Sequence, residues 1–219
     1  MVEIAPGDLV ETLRRCNGYY QCPKAPDGKR LGPLVGYAGE YDAPDGTRKH
    51  WVGDVYYNFA RIEEYPHVLR FVASQLAGVV RANGGLGGVD YVMGAPVGGF
   101  AIALMLAWHL DCRYVFPEKK VTAAATVSAR EQSVLVFGRH EVEPGKQVLV
   151  AEDVCNNFST TEKVRELVQA AGSRVVGIAC ELNRSARTTW EWLPVCSILH
   201  LPTEQYQQDD PAVAADIAA

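Results

Sequence analysis

The sequence predicts an α/β protein with a parallel sheet and helices on both faces. From Val89 onward, apolar runs typical of buried strands alternate with segments whose apolar residues recur at helical spacing. The 219 residues are enough for one well-buried domain. Charged residues make up 21% and the hydrophobic set 48%, which excludes a disordered or fibrous protein.

The first quarter of the chain predicts a small subdomain that contains a hairpin. It is rich in Gly, Pro and Tyr, and turn signals at Ala25–Gly28 and Ala43–Gly46 separate its short segments. We assign residues 1–65 to this N-terminal segment and residues 66–219 to the core. Together they are expected to form a single structural domain.

The core is expected to begin with a helix, because apolar residues between Val68 and Val80 recur at helical spacing. The elements predicted after it are, in order, a strand at Val89–Met93, a helix at about Gly99–Leu110, strands at Arg113–Phe116 and Gln147–Ala151, a helix at Thr160–Ala171 and a strand at Arg174–Cys180. Ser159 and Glu162 have the spacing of a capping box for the last helix, and Gly172 is placed to end it.

Charge and the N-terminus indicate which partners to expect. The chain has 21 Lys and Arg against 26 Asp and Glu, a net charge of -5, which argues against nucleic acid as a partner. Acidic residues near the N-terminus do not fit a secretion signal, so we expect a cytoplasmic protein. The uncharged stretch Tyr91–Leu110 is interrupted by Gly and Pro, which favours a strand, a turn and a helix over a membrane span. The six cysteines show no paired spacing, which predicts free thiols.

A long polar insertion, Glu118–Ser133, precedes a predicted strand at Val134–Phe137. Structureless loops of this length inside a compact domain are commonly functional lids or mobile hairpins. We therefore expect a mobile loop at about 118–133.

The strongest chemical signal follows the strand that ends at Ala151. Two adjacent carboxylates, Glu152 and Asp153, come first, then a turn rich in amides and hydroxyls, and then a helix N-terminus. Ligands of parallel sheets bind beyond the carboxyl ends of the strands, and free N–H groups at a helix start favour phosphate. The pattern predicts a sugar-phosphate site. The alternative is that the acids only complement the helix dipole and the turn is an ordinary one.

This stretch resembles the phosphoribosyl pyrophosphate (PRPP) motif of the type I phosphoribosyltransferases. The resemblance implies that fold, with a small hood-like N-terminal subdomain. It also implies that Glu152 and Asp153 hold the ribose 2′- and 3′-hydroxyls. The turn around the 5-phosphate would consist of Asn156, Asn157, Phe158, Ser159, Thr160 and Thr161.

A second segment, Val92–Phe100, is similar to the pyrophosphate-binding loop of that family. Backbone N–H groups of a Gly-rich turn can approach an anion closely because no side chain intervenes. The loop residues are Ala95, Pro96, Val97, Gly98 and Gly99.

A third segment, Lys49–Phe59, resembles the orotate phosphoribosyltransferases, and it implies that Lys49, Tyr56 and Tyr57 bind the base. Cys180–Arg184 resembles the strand end where those enzymes place an arginine, so Arg184 would pair with a carboxylate on the base. The alternatives are that the aromatic residues belong to the core and that Arg184 is a surface cation.

The resemblance implies transfer of 5-phosphoribose from PRPP to a nucleobase such as orotate, as in pyrimidine biosynthesis. Mg²⁺ would enter with PRPP, and the enzyme would be a homodimer. Asp153 would lie near the developing positive charge, and Lys119 and Lys120 would neutralise the departing pyrophosphate, unless they are only solvated loop charges. Further loop cations available for that role are Arg130, Arg139 and His140.

Two departures from the family leave a second hypothesis open. Phe158 stands where the PRPP turn usually has glycine, and Gly98 stands where orotate enzymes carry lysine. These changes favour a regulator that binds PRPP or a nucleotide without turnover. A dinucleotide-binding protein is disfavoured because the full G-x-G-x-x-G spacing is missing, and a hydrolase because neither G-x-S-x-G nor H-E-x-x-H occurs.

Overall fold

The computed structural model describes residues 8–83, 86–123, 132–211 and 213–214. The chain divides into two compact units, Met1–Ile62 with Pro202–Ala219, and Glu63–Leu201. The sequence placed everything after residue 65 in the core. In the structure the C-terminal segment joins the N-terminal unit, because Val52 and Tyr206 exchange two backbone hydrogen bonds of 3.0 and 2.8 Å. The Tyr41 hydroxyl also donates to the Asp209 carboxylate.

The first unit contains two small antiparallel sheets. Its elements are α1 (Leu9–Arg15), β1 (Tyr19–Gln21), β2 (Val35–Asp42), β3 (Arg48–Gly53), β4 (Val55–Tyr57) and the first residues of α2 (Ala60–Glu63). β2 pairs with β3 across the predicted turn at Ala43–Gly46, and β1 pairs with β4. Gly46 takes a φ of 78°, which glycine adopts without a steric cost. The predicted hairpin is therefore confirmed.

The second unit is built on a six-stranded sheet. Its remaining elements are α3 (Pro66–Ala82), β5 (Tyr91–Gly94), α4 (Gly99–Leu110), β6 (Arg113–Val115), β7 (Glu118–Ala123), β8 (Gln132–Val136), β9 (Gln147–Cys155), α5 (Ser159–Ala170), β10 (Arg174–Asn183), β11 (Thr189–Trp190) and β12 (Leu193–His200). The strand order is β11-β12-β10-β9-β5-β6, and every pairing except β11 with β12 is parallel. The predicted parallel sheet is confirmed, and β11 and β12 extend it beyond the last predicted strand.

Helices cover both faces of this sheet. In β9, Val148 and Val150 join the buried cluster that contains Val164 and Val168 of α5. Side chains alternate along a strand, so Leu149 and Ala151 point to the opposite face. On that face the first residue of α4, Gly99, lies against the Ala151 carbonyl. None of the described helices is long and apolar enough to cross a membrane.

The start of α5 differs from the predicted capping box. Phe158 takes the N-cap position with φ 59° and ψ 14°, no side chain caps the helix, and Ser159 is already its first helical residue. The Ser159 N–H donates instead to Asn157 Oδ1 at 3.2 Å. The other end agrees with the prediction, because Gly172 has φ 74° and its N–H bonds to Gln169 O at 2.9 Å.

The polar insertion has more structure than a loop. Its two arms, β7 and β8, pair antiparallel, with Glu118 opposite Val136 and Lys120 opposite Val134. The predicted strand at Val134–Phe137 is β8, which begins two residues earlier. Residues 124–131, including Arg130, lie outside the described part of the chain.

Candidate functional site

The predicted acid pair lies at the carboxyl end of β9, in the middle of the sheet. Because side chains alternate along the strand, Glu152 and Asp153 point to opposite faces. Glu152 faces α5, where its Oε2 accepts hydrogen bonds from the Thr161 hydroxyl at 3.5 Å and the Cys155 thiol at 3.7 Å. Asp153 faces the side on which α4 begins. The two carboxylates can therefore act on different parts of one ligand.

The glycine turn between β5 and α4 lies directly against Asp153. A Cβ atom at Gly98 would be 2.5 Å from Asp153 Cγ, so only glycine fits there without displacing the carboxylate. Backbone bonds hold the turn, from Ala95 N to Ala151 O at 2.8 Å and from Gly99 N to Ala95 O at 2.9 Å. The Pro96–Val97 peptide is cis, and the Val97 side chain is exposed. The structure therefore brings the predicted pyrophosphate loop and the acid pair together.

The turn before α5 is held by an aromatic stack. Phe158 has left-handed backbone angles, but its ring is 4% exposed and stacks on Trp190, with ring centres 5.8 Å apart. Arg165 lies over the Trp190 ring at 5.0 Å and pairs with Glu162 at 2.6 Å. The burial of its ring offsets the cost of a left-handed residue that is not glycine.

The other turn residues surround the helix N-terminus. Asn157 and Ser159 are exposed, Asn156 and Thr160 are half-buried, and Thr161 is buried against Glu152. Exposed amide and hydroxyl groups beside the first N–H groups of α5 form an arrangement that can bind a phosphate.

Burial makes the carboxyl groups of this site hard to ionise. Desolvation, followed by the charge of Asp153, raises the pKa of Glu152 to about 7. Desolvation also raises the pKa of Asp153, against the effect of hydrogen bonds from the backbone at Val154 and Asp153. The pKa of Glu63 is raised by burial and then by Asp153. A ligand that brings cations or hydroxyl donors would stabilise the ionised forms.

Comparison with known proteins agrees with this geometry. The chain is 28% identical over 158 residues to the orotate phosphoribosyltransferase of Caldanaerobacter subterraneus, covering 72% of this chain and 75% of the relative. It is 28% identical over 156 residues to the orotate phosphoribosyltransferase of Thermotoga maritima, covering 71% and 75%. No family model matches the sequence.

Solved structures extend the likeness to nearly the whole chain. Orotate phosphoribosyltransferase from Aeropyrum pernix superposes with a TM-score of 0.57 at 18% identity, over 89% of this chain and 94% of that one. Adenine phosphoribosyltransferase from Trypanosoma brucei gives a TM-score of 0.53 at 17% identity, over 90% and 82%. The chain has the type I phosphoribosyltransferase fold. Orotate and adenine phosphoribosyltransferases both share this fold.

Within this phosphoribosyltransferase fold, Arg184 is not a surface cation. It follows β10, is 8% exposed, and its backbone N–H donates to Cys155 O at 2.8 Å. Glu181, which is buried at the same strand end, was not among the residues predicted for the site. A charged residue between the apolar residues Cys180 and Leu182 was the signal that could have identified it.

The three base-binding candidates lie in the first unit. Lys49 on β3 pairs with Asp45 at 3.2 Å. Tyr57 packs edge-on against Tyr19, with ring centres 5.4 Å apart. Tyr56 is 45% exposed and lines a pocket of about 410 Å³ with Tyr20 and the Pro33–Gly36 segment. Tyr56 is therefore not a core residue, whereas the nearby Phe59 is buried.

The loop cations lie on or beside the β7–β8 ribbon. Lys119 and Lys120 are exposed on β7. Arg139 pairs with Glu118 at 3.0 Å, and the His140 ring packs on Phe116 at 4.5 Å. Of these four residues, Lys119 and Lys120 lie on the ribbon itself, whereas Arg139 and His140 follow β8.

Proposed function

We propose that the protein transfers 5-phosphoribose from PRPP to a nitrogenous base, orotate or a similar pyrimidine, and releases pyrophosphate. One observation carries the proposal. Asp153, at the end of the central strand, lies against the Gly98 turn and one residue after Glu152, which contacts the helix that follows the phosphate turn. A sugar that bears a pyrophosphate and a 5-phosphate needs three binding groups around one strand end: the acid pair, the glycine turn and the phosphate turn.

Each part then has a role. Glu152 and Asp153 accept hydrogen bonds from the ribose hydroxyls, and the turn Asn156–Thr161 holds the 5-phosphate through side chains and backbone N–H groups. In the Ala95–Gly99 turn, the N–H groups of Ala95 and Gly99 bond within the protein, so the N–H groups of Val97 and Gly98 bind the pyrophosphate. As pyrophosphate leaves, the anomeric carbon becomes positively charged, and Asp153 stabilises that charge.

Magnesium enters this proposal with the substrate, bound to PRPP. Among the described residues, no group of three or more His, Cys, Asp and Glu side chains is arranged to hold a metal ion. The chain's own part is to hold the sugar and the phosphates of the complex.

The choice of orotate rests on the named relatives and on Arg184. A buried guanidinium matches a carboxylate better than any other side chain does. Tyr56 and Tyr57 point to opposite faces of β4, and Tyr57 packs on Tyr19. Of the two, the half-exposed Tyr56 is therefore the one that we propose to stack on a base, and Lys49 would add a positive charge. We further propose that Lys119 and Lys120 neutralise pyrophosphate, and that the enzyme is a cytoplasmic homodimer.

Calorimetry with Mg–PRPP tests the shared site before any base is chosen. Wild type should bind saturably, and Asp153→Asn should weaken binding by at least about tenfold, because a hydrogen bond to a charged group is worth about 1.5–3 kcal/mol. Glu166→Gln removes an exposed carboxylate from α5 and should leave binding unchanged. Folded wild type that does not bind PRPP would overturn the proposal.

The alternative function is a PRPP- or nucleotide-binding regulator without turnover. Two observations favour it, the absence of a side chain at Gly98 and the aromatic ring of Phe158 in the phosphate turn. Pyrophosphate release from PRPP and orotate separates the two functions. If wild type releases pyrophosphate and the double variant Lys119→Ala/Lys120→Ala does not, the regulator is excluded. If wild type binds PRPP tightly and releases no pyrophosphate, the regulator is favoured.

A further inference from the structure

Glu181 is a buried carboxyl group beside the candidate site to which no role has been assigned. It lies on β10, its side chain is 1% exposed, and its Oε1 atom has no hydrogen-bond partner among the described residues. Burying an unpaired polar atom costs free energy, so a chain that keeps one has a structural or functional reason to do so.

The sheet register places Glu181 next to Asp153. Cys180 pairs with Glu152 and Leu182 pairs with Val154, so Glu181 and Asp153 are lateral neighbours on adjacent parallel strands. Cys180 belongs to the buried cluster on the α5 face, and alternation points Glu181 to the opposite face. Asp153 points to that same face, against Gly98. The two carboxyl groups are therefore side by side.

The surroundings of Glu181 favour its neutral form. The titratable groups that act on it are Asp153 on β9, Glu63 at the end of α2 and the Cys180 thiol on β10, and every one of them is an acid. Burial first, and these groups second, raise its pKa well above the ordinary value. Two carboxyl groups at this spacing do not both ionise readily, so one keeps a proton.

We propose that Glu181 is a positioning residue for Asp153: it holds a proton beside that carboxylate and, when PRPP binds, donates a hydrogen bond that orients Asp153 toward the ribose hydroxyls. This inference rests on the proposed function, because it assigns Asp153 to the sugar. Glu181 acts through Asp153 and does not itself touch the substrate. Its ionisation would remove the donor and add a negative charge beneath a polyanionic ligand.

The test compares three proteins by calorimetry with Mg–PRPP at pH 6, 7, 8 and 9. Wild type should lose affinity as pH rises through the pKa of Glu181. If wild type shows no decline by pH 9, the comparison with Glu181→Met at pH 6 decides the outcome. Glu181→Gln keeps a donor that cannot ionise, so it should bind like wild type at pH 6 and lack this alkaline decline. Glu181→Met has a similar volume without the donor, so it should bind about fivefold to tenfold more weakly than wild type at pH 6, and more weakly than Glu181→Gln at every pH. Titration of Glu152 and of the phosphates is common to all three proteins and cancels in the comparison.

Thermal unfolding without ligand checks that Glu181 titrates in the folded chain. Its folded pKa lies above the unfolded value, so its stabilising contribution is present at low pH and is lost as pH rises through the folded pKa. Relative to wild type, Glu181→Gln should therefore become more stable as pH rises. A purely structural role would show this trend but leave the pH profile of PRPP binding the same in both proteins.

Three outcomes would overturn the inference. Glu181→Gln could keep an alkaline decline that wild type shows, or folded Glu181→Met could bind PRPP at pH 6 with wild-type affinity. Either result, with wild type binding PRPP, rejects the role of Glu181 and leaves the proposed function standing. Absence of PRPP binding in folded wild type rejects both together.

Discussion

Gly98→Ala should weaken PRPP binding at the candidate site while the protein remains folded. The backbone at Gly98 has φ -62° and ψ -26°, which alanine adopts freely, so the new methyl group is the only change. Its Cβ would lie 2.5 Å from Asp153 Cγ, whereas ordinary contacts begin near 3.4 Å. The Asp153 carboxylate must therefore move by about 0.9 Å, the difference between these two distances.

The size of the effect follows from what that movement breaks. Displacing the carboxylate removes its hydrogen bond to a ribose hydroxyl, worth about 1.5–3 kcal/mol, which is about tenfold to a hundredfold in Kd. Overpacking lowers the free energy of unfolding by about 1–3 kcal/mol, and rotation of the Asp153 side chain keeps this loss at the lower end. The variant should therefore remain folded.

Calorimetry with Mg–PRPP and urea denaturation measure the two effects separately. Gly78→Ala is the matched control, because its Cβ would meet nothing within 4 Å on the exposed side of α3. It should stabilise the protein by about 0.5–1 kcal/mol and leave binding unchanged. Gly99→Ala should instead disrupt folding, because its Cβ would overlap the Ala151 carbonyl. Folded Gly98→Ala with the wild-type Kd would refute the placement of PRPP against Asp153.

Two further predictions concern the aromatic stack beside the phosphate turn and the ion pairs of Asp54 in the first unit. Trp190→Leu removes the ring that stacks on Phe158 and supports Arg165. Urea denaturation should show that the free energy of unfolding falls by about 3 kcal/mol, and calorimetry should show weaker PRPP binding. An unchanged denaturation midpoint would contradict the role of the stack. Burial opposes ionisation of Asp54, but Lys24 and Arg30, each 2.6 Å away, hold its pKa below the ordinary value. This stabilisation is present above about pH 4 and is lost as pH falls through the folded pKa. Asp54→Asn should therefore be less stable than wild type at pH 7, and its stability should fall less as pH is lowered. Thermal scans from pH 7 to 2 measure both effects.

Local patterns in the sequence were sufficient to predict the fold class and the two main loops of the site. The helix at Gly99–Leu110 was predicted with the bounds that the structure shows, because the Gly and Pro residues before it and the continuous apolar run determine it locally. The strand that ends at Glu152 and Asp153 was also recognisable from its own residues, since an apolar run followed by acids needs no distant contact. These are features that a window of about ten residues encodes.

Other features depended on contacts between residues far apart in the chain. Trp190 stabilises the left-handed backbone at Phe158 from 32 positions away. The residues near Phe158 therefore gave no signal of this geometry, and they predicted a capping box instead. The C-terminal segment joined the first unit through its pairing with Val52, which pattern alone did not indicate.

The carboxyl group at Glu181 shows the same division most clearly. In the sequence it is one acid in a strand, 28 positions after Asp153. Strand order and register make the two residues neighbours, and burial then changes the pKa of both. The sequence by itself determined where the acid pair and the two turns lie along the chain, because motif and periodicity are local. Only the tertiary structure decided which of them touch and which hold a proton, because distance and desolvation depend on the packing of the whole sheet.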